Sequence, residues 1–259
     1  MNSLLEVLHY RGLLWNLILR DIRIRYKQAL LGIGWAIFQP LCLMILFSFV
    51  FSKVSKVNTG EIPYPVFAFA GLVPWQFFQM GIATATGSLV QNMALVTKIY
   101  APRQVFPLAA ISSKLIDLGV AFVVLLLLMI YFRIPLYSTV LWLPFILCVQ
   151  LIFMTGLGLI SAMGNLFYRD VGYVMNTFLT LWMFATPVVY PLPPDGLIGQ
   201  ILFRVNPMTS ILIAYRDVLL RGISPNWADF GPSFLVCLSV FVVGWYCFSR
   251  LQYLFAERI

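Results

Sequence analysis

Nine acidic residues and one histidine are all that this chain of 259 residues offers to acid–base or metal chemistry. His9 stands alone, so no multi-histidine metal site can form. Cys42, Cys148, Cys237 and Cys247 lie far apart in apolar stretches, where cysteine behaves as a small buried hydrophobe. No Gly-x-x-x-x-Gly-Lys-Ser/Thr run is present to cradle the phosphates of a nucleotide. Asp117 is the one acid inside an apolar segment, and Lys114 precedes it by three residues on the same helical face. A local ion pair is the expected state there, with a proton relay as the alternative. These residue types specify no catalytic group, metal site or cofactor in this chain. What the sequence does concentrate is positive charge: Arg20, Arg23, Arg25 and Lys27 crowd against an apolar run that begins at Leu30.

The elements that must position this charge follow from composition. The chain is 61% hydrophobic and 10% charged, whereas soluble domains carry about a quarter charged residues. So few charges cannot cover a soluble surface; lipid must be the solvent over most of the exterior. The net charge of +8 then reads as Lys and Arg collecting in cytoplasmic loops, and no segment is soluble enough to form a nucleic-acid-binding domain. A span needs roughly 20 mostly apolar residues. Six segments qualify, at about Gly32 to Ser52, Val66 to Val90, Val105 to Phe132, Val140 to Phe167, Tyr173 to Tyr190 and Pro232 to Phe248. The first is too long for a signal peptide and reads as a retained span.

Six spans put both termini on one side. That side carries Arg11, Arg20, Arg23, Arg25, Lys27, Lys98, Arg103, Lys114, Arg169, Arg250 and Arg258. The other carries Lys53, Lys56, Arg133, Arg204, Arg216 and Arg221. The bias puts both termini in the cytoplasm. The expected fold is an all-α polytopic membrane protein forming one domain over 1–259. It comprises a cytoplasmic or interfacial helix in 1–31, spans 1 to 5 in 32–190, an outer loop in 191–231, and span 6 with a cytoplasmic tail in 232–259.

On a helix, Trp15, Leu19, Ile22 and Tyr26 align as one apolar stripe, while Arg20, Arg23 and Lys27 share another side and Arg25 borders the stripe. This segregation describes an amphipathic helix lying in the headgroup layer, bent at Gly32 and Gly34 into the first span, with Trp35 as an anchor. Between spans 5 and 6, Asn206 caps a helix whose first residue is Pro207. Asp217 and Arg221 pair at i,i+4, and Gly222 stops the helix. At about 14 residues it is too short to cross a bilayer, so Leu197 to Val205 and Met208 to Leu220 suggest a pair of short re-entrant helices. Gly156, Gly158 and Gly164 suit close helix packing.

The stretch "RDIRIRYKQALLGIGWAIFQPL" (20–41) resembles the corresponding segment of ABC-2 type transporter permeases of the polysaccharide-export branch, which move O-antigen, capsule or teichoic-acid chains. The matching features are Arg20-Asp21, Arg25-Tyr26-Lys27, Leu31-Gly32, Trp35 and Pro40-Leu41. Collinear matches are "GLVPWQFF" (71–78), "PRQVFPL" (102–108), "YRDV" (168–171), "TPVVY" (186–190) and "NPMTSILIAYRDVLL" (206–220). Ala29 departs from the pattern, which often has a small hydroxyl residue there.

The resemblance implies a homodimer working with two separate ATPase subunits, which would hold ATP and magnesium. It makes the loop around Asn92 to Tyr100 the coupling helix that docks on the ATPase, with Asn92, Lys98 and Arg103 at the contact. Arg169 and Asp170 offer either a second contact or a local ion pair. The re-entrant helices would line the outer exit. A polysaccharide path asks for aromatic faces and dispersed polar groups, here Trp35, Phe38, Gln39, Trp75, Gln76, Phe77, Trp182 and Tyr190, each of which could equally be a belt or packing residue. Two other functions stay open: an exporter of a small hydrophobic compound or drug, and a membrane-embedded transferase. The expected location is the inner membrane.

Overall fold

A computed structural model describes residues 2–27, 32, 34–50, 62–98, 101–191 and 206–252. These residues contain no strand. Two helices precede the apolar bundle, α1 (Asn2–His9) and α2 (Arg11–Tyr26). The bundle continues with α3 (Gly34–Ser48), α4 (Tyr64–Gln91), the short α5 (Met93–Lys98), α6 (Val105–Ser112) and α7 (Leu115–Tyr131). It ends with α8 (Leu143–Phe167), α9 (Asp170–Phe184), α10 (Pro207–Arg216) and α11 (Trp227–Leu251).

Among the described residues, four stretches are long and apolar enough to cross a membrane: Tyr64–Gln91, Val105–Tyr131, Ser138–Phe167 and Trp227–Leu251. They match the expected second, third, fourth and sixth spans. The third is interrupted after Ser112, where the Lys114 amide reaches back only to Ile111. α3 and α9 have 15 residues each, roughly 22 Å of helix against a hydrocarbon core of about 30 Å. The expected end of the first span, near Ser52, lies outside the described residues. α9 stops at Phe184, not at Tyr190. Pro187 has no N–H to continue a helix and disfavours helical geometry at Thr186, so the chain turns through 185–190.

α4 is the centre of the molecule. Val66 to Trp75 are buried almost without exception, because α3, α6, α7, α8, α9 and α10 surround the helix. That is why its sequence is apolar on every side. A buried polar seam joins α4 to α8: Thr86 Oγ1 donates to Ser161 Oγ (2.9 Å), and the Asn165 amide donates to the Thr86 carbonyl (3.0 Å). Asn165 Oδ1 accepts from the Gly172 amide (2.9 Å), which fixes the start of α9. α8 makes its broadest contact with α11, where Gly156 lies against the backbone at Phe241 and Gly244 against the Gly156 carbonyl. The expected use of Gly156 and Gly158 in close packing holds, and Gly244 joins them.

α10 forms as its residues specify. Asn206 Oδ1 accepts from the Met208 amide (3.1 Å), Arg221 reaches Asp217 at 2.9 Å, and Gly222 sits at φ +69°. The last turn, Asp217–Arg221, widens to π geometry. The companion piece Leu197 to Val205 lies outside the described residues.

Candidate functional site

α2 rides on α6. Leu13, Leu14, Leu17 and Ile18 pack with Val105, Phe106 and Ala109 in a small core that also takes in Val96, Leu159 and Phe248. The packed face is therefore not the Trp15–Leu19–Ile22–Tyr26 stripe, and Trp15 is 60% exposed. Hydrophobic periodicity locates an apolar face without saying whether protein or lipid covers it. Arg23 and Lys27 are exposed as expected, and Arg20 pairs with Asp21 at 2.8 Å.

The packed face carries Arg25 to span 3. Arg25 Nη1 donates to Asp117 Oδ2 at 2.6 Å and Nη2 to Ser113 Oγ at 3.5 Å, while the Tyr26 hydroxyl donates to Asp117 Oδ1. Burial, reinforced by the hydrogen bond to Asp117, pushes the Tyr26 phenol up to about 12, so it stays a donor at ordinary pH. The expected local pair is thus the lesser one: Lys114 Nζ lies 4.0 Å from Asp117 Oδ2. Sequence reasoning singled out Asp117 but not its partner across the fold.

Behind this pair lies a cavity of about 220 Å³ between the end of α2 and α3, α4 and α7. It gathers Arg25, Tyr26, Lys114 and Asp117 with four of the expected path residues, Trp35, Gln39, Gln76 and Phe77. Trp35 stacks edge-on with Phe38 (5.5 Å), and both are half exposed. Trp75 and Trp182 lie elsewhere, in an aromatic cluster with Phe78 and Phe153. Trp75 is 0% exposed in this chain. Tyr190 Oη donates to the Phe184 carbonyl (2.8 Å) and closes the end of α9.

The short helix α5 forms where expected, its reach to Tyr100 lying outside the described residues. Val96 anchors it and Lys98 is exposed. Asn92 caps α4, its side-chain amide donating to the Ser88 carbonyl (2.7 Å). Arg103 turns inward and donates to the Gln252 carbonyl at the end of α11; burial holds its guanidinium below the ordinary value. Arg169 and Asp170 are exposed at the α8–α9 turn and do not pair with each other. A second cleft, of about 340 Å³, runs between α2 and α4 past Arg20, Ser88, Gln91 and Asn92. No cluster of His, Cys, Asp and Glu fit to hold a metal occurs among the described residues.

A second junction joins three of the quoted motifs. Arg216, 4% exposed, donates to the carbonyls of Phe67 (3.3 Å), Pro187 (2.7 Å) and Val188, with its guanidinium carbon 3.8 Å above the Phe67 ring. Tyr64 Oη donates to Val189 O (2.6 Å), and the Asn206 amide donates to Thr186 Oγ1 (2.8 Å). Gly71 leaves no room for a methyl beside Val188 O and Arg216. Sequence reasoning counted Arg216 only as an outer-loop charge; its place amid "ILIAYRDVLL" was the available signal.

The apolar helices and the charged helix docked on them define a multi-pass membrane protein. The chain belongs to the ABC-2 type transporter family, whose pattern matches residues 12–220. It is 32% identical over 224 residues to the O-antigen export system permease protein RfbA of Myxococcus xanthus, covering 85% of each chain. A Klebsiella pneumoniae protein of the same name is 30% identical over 258 residues, 95% of this chain and 96% of that one. The polysialic acid transport protein KpsM of Escherichia coli is 24% identical over 213 residues, 80% of each. The resemblance drawn from the motifs is borne out.

Proposed function

We propose that the chain is the permease subunit of an ATP-driven exporter that moves lipid-linked polysaccharide, O-antigen first and capsule second, across the inner membrane. The observation that carries this reading is the likeness to permeases named for O-antigen export, which extends over 95% of the chain. α3 and α9 are read as the first and fifth of six spans, both termini as cytoplasmic, and α10 as the second of two re-entrant helices at the outer exit. One chain supplies half a channel, so the working unit is a homodimer with two ATPase subunits. Those subunits hold ATP and magnesium, and no cofactor belongs to this chain. Trp35, Phe38 and Gln39 on the exposed side of α3 are the best placed of the path residues to meet sugar rings in the dimer.

Deleting the gene is expected to remove the surface polysaccharide while the glycan accumulates inside, with recovery on complementation. An unchanged surface glycan together with increased sensitivity to apolar drugs would replace this reading with that of a small-molecule exporter.

Docking on the ATPase falls to α5, with Asn92 and Lys98, and to a smaller contact at Arg169 and Asp170. Arg103 supports the loop from within, since its guanidinium ties the loop to the end of α11. Lys98→Glu is expected to leave ATP hydrolysis by the assembled complex within about twofold while export falls at least tenfold, about 1.4 kcal/mol of coupling or more. Export at the parental rate would sink the docking role. The face formed by Arg20, Arg23 and Lys27 is read as a flank of the cytoplasmic entrance. Reversing all three charges is expected to abolish export without inverting topology; normal export in correctly oriented protein would reduce the helix to an anchor.

A further inference from the structure

We propose that Asp117 is a two-position latch: it holds Arg25 and Tyr26 of α2 across a break in the third span, and it passes to Lys114 when the cytoplasmic end of that span swings. The break lies at Ser113. In an unbroken helix the Lys114 amide would bond the Ala110 carbonyl. Here Ser113 Oγ donates to that carbonyl at 2.9 Å, and the Lys114 amide reaches only Ile111 at 3.0 Å. Back-bonding by a serine hydroxyl loosens and bends a helix. The two sides of the break also belong to different cores. Val105, Phe106 and Ala109 pack with α2 in the small core, whereas Leu118, Ala121 and Leu125 belong to the main one. α6 moves with α2, and α7 with the rest of the bundle.

Polar bonds from α2 cross this boundary. Arg25 Nη1 donates to Asp117 Oδ2 at 2.6 Å and the Tyr26 hydroxyl to Asp117 Oδ1, both on the far side of the break. Arg25 Nη2 reaches Ser113 Oγ, at the break itself, at 3.5 Å. While these bonds stand, α6 cannot swing against α7. A charge-assisted pair of this kind is strong enough to hold one state and local enough to be exchanged.

Lys114 supplies the second position. Its carbonyl opens α7 by accepting from the Leu118 amide (3.0 Å), so it stays with Asp117 when α6 swings. Its side chain is 6% exposed, and Nζ lies 4.0 Å from Asp117 Oδ2, beyond hydrogen-bond reach. Among the described residues it has no hydrogen-bond partner, although a buried cation is ordinarily paired and hydrogen-bonded. A shift of about 1 Å would make the bond. Withdrawing Arg25 would by itself strand the Asp117 carboxylate, a costly outcome for a partly buried charge. With Lys114 in reserve, neither state leaves the carboxylate unpaired, and Asp21 does not compete because Arg20 engages it at 2.8 Å. Two exclusive pairings of one carboxylate make a bistable element. α5 is placed to bias it, since Val96 seats that helix in the same small core as α2.

The inference rests on the export reading only for the ATPase that moves α5. In the full complex, Lys114→Gln is expected to keep or raise the thermal midpoint, since Lys114 makes no hydrogen bond in this state, while export falls about tenfold or more. Adding Asp117→Asn should restore most of that export, because no carboxylate is then stranded when α2 leaves. Lys114→Arg, which keeps the reserve cation, should retain it. A distance measurement reads the swing without cargo. Spin labels replace the exposed Ile24 on α2 and Tyr131 at the far end of α7, in a chain whose four cysteines are changed to alanine. Trapping the ATPase with vanadate should change their separation by about 2 Å or more in the parent and leave it unchanged in Lys114→Gln. Parental export by Lys114→Gln, a double variant no better than Lys114→Gln, or no change on trapping in the parent overturns the latch and leaves Asp117 a fixed tie. An intact surface glycan in the deletion strain, beside a separation that changes only when Lys114 is present, would overturn the export reading alone.

Discussion

Arg216→Ala is expected to abolish stable assembly of the protein in the membrane. The guanidinium is the partner of three backbone carbonyls, at Phe67, Pro187 and Val188, drawn from two different parts of the chain. Each buried acceptor left without a donor costs about 1–3 kcal/mol, and an apolar surround supplies no water to replace the donor. The total is a large part of the roughly 5–15 kcal/mol that holds a typical domain together. Arg216→Lys keeps the charge but loses the planar fork, so an intermediate loss is expected. Gly71→Ala should resemble Arg216→Ala, because its methyl group would enter the space of both Val188 O and the guanidinium. Thermal unfolding followed by size-exclusion chromatography in detergent reads the effect. An Arg216→Ala protein that elutes as a single species with an unchanged midpoint would mean that water reaches these carbonyls.

This junction also explains why "GLVPWQFF", "TPVVY" and "NPMTSILIAYRDVLL" occur together in one chain. Pro187 ends α9 and leaves carbonyls that no helix satisfies; Arg216 satisfies them from α10, and Gly71 gives it room. Local signals such as the Asn206 cap, Pro207, the Asp217–Arg221 pair and Gly222 were legible because each acts within a few residues. The junction was not, because Arg216 and Phe67 are 149 positions apart. Arg25 and Asp117 make the same point. A lone acid in an apolar span signalled a site, but spacing offered only Lys114 as its partner, since the alignment of α2 along α6 is a tertiary fact. Trp75 and Trp35 were equivalent in sequence, two aromatics on apolar helices. Only the burial of α4 on every side separates the core tryptophan from the exposed one. Length was equally ambiguous at the fifth apolar segment, where hydropathy runs on to Tyr190 but the helix ends at Phe184.

The glycine contact between α8 and α11 carries the other large effect. A methyl on Gly156 would lie 2.6 Å from Phe241 Cα, closer than carbon atoms approach without a clash, and what it meets is backbone that no rotamer change can move. Gly244 faces the Gly156 carbonyl across the same crossing. Inside lipid, no hydrophobic effect drives two apolar helices together; close van der Waals packing between small residues must do it. Gly156→Val and Gly244→Val are each expected to force the helices apart and to cost more than the about 1–3 kcal/mol of ordinary core overpacking. The larger cost follows because α11 is held mainly by α8. Through Arg103 and Gln252 the end of α11 also braces the proposed coupling loop, so a partly tolerated variant should lose ATPase coupling before it loses the rest of the bundle. Gly119 and Gly231 are the internal controls, since a methyl at either meets nothing within 4 Å. Gly119→Ala, within α7, should be neutral or stabilising by up to about 1 kcal/mol. Equal yields and midpoints for Gly156→Val and Gly119→Ala would show that the α8–α11 crossing can widen at no cost, and the close-packing account would fail.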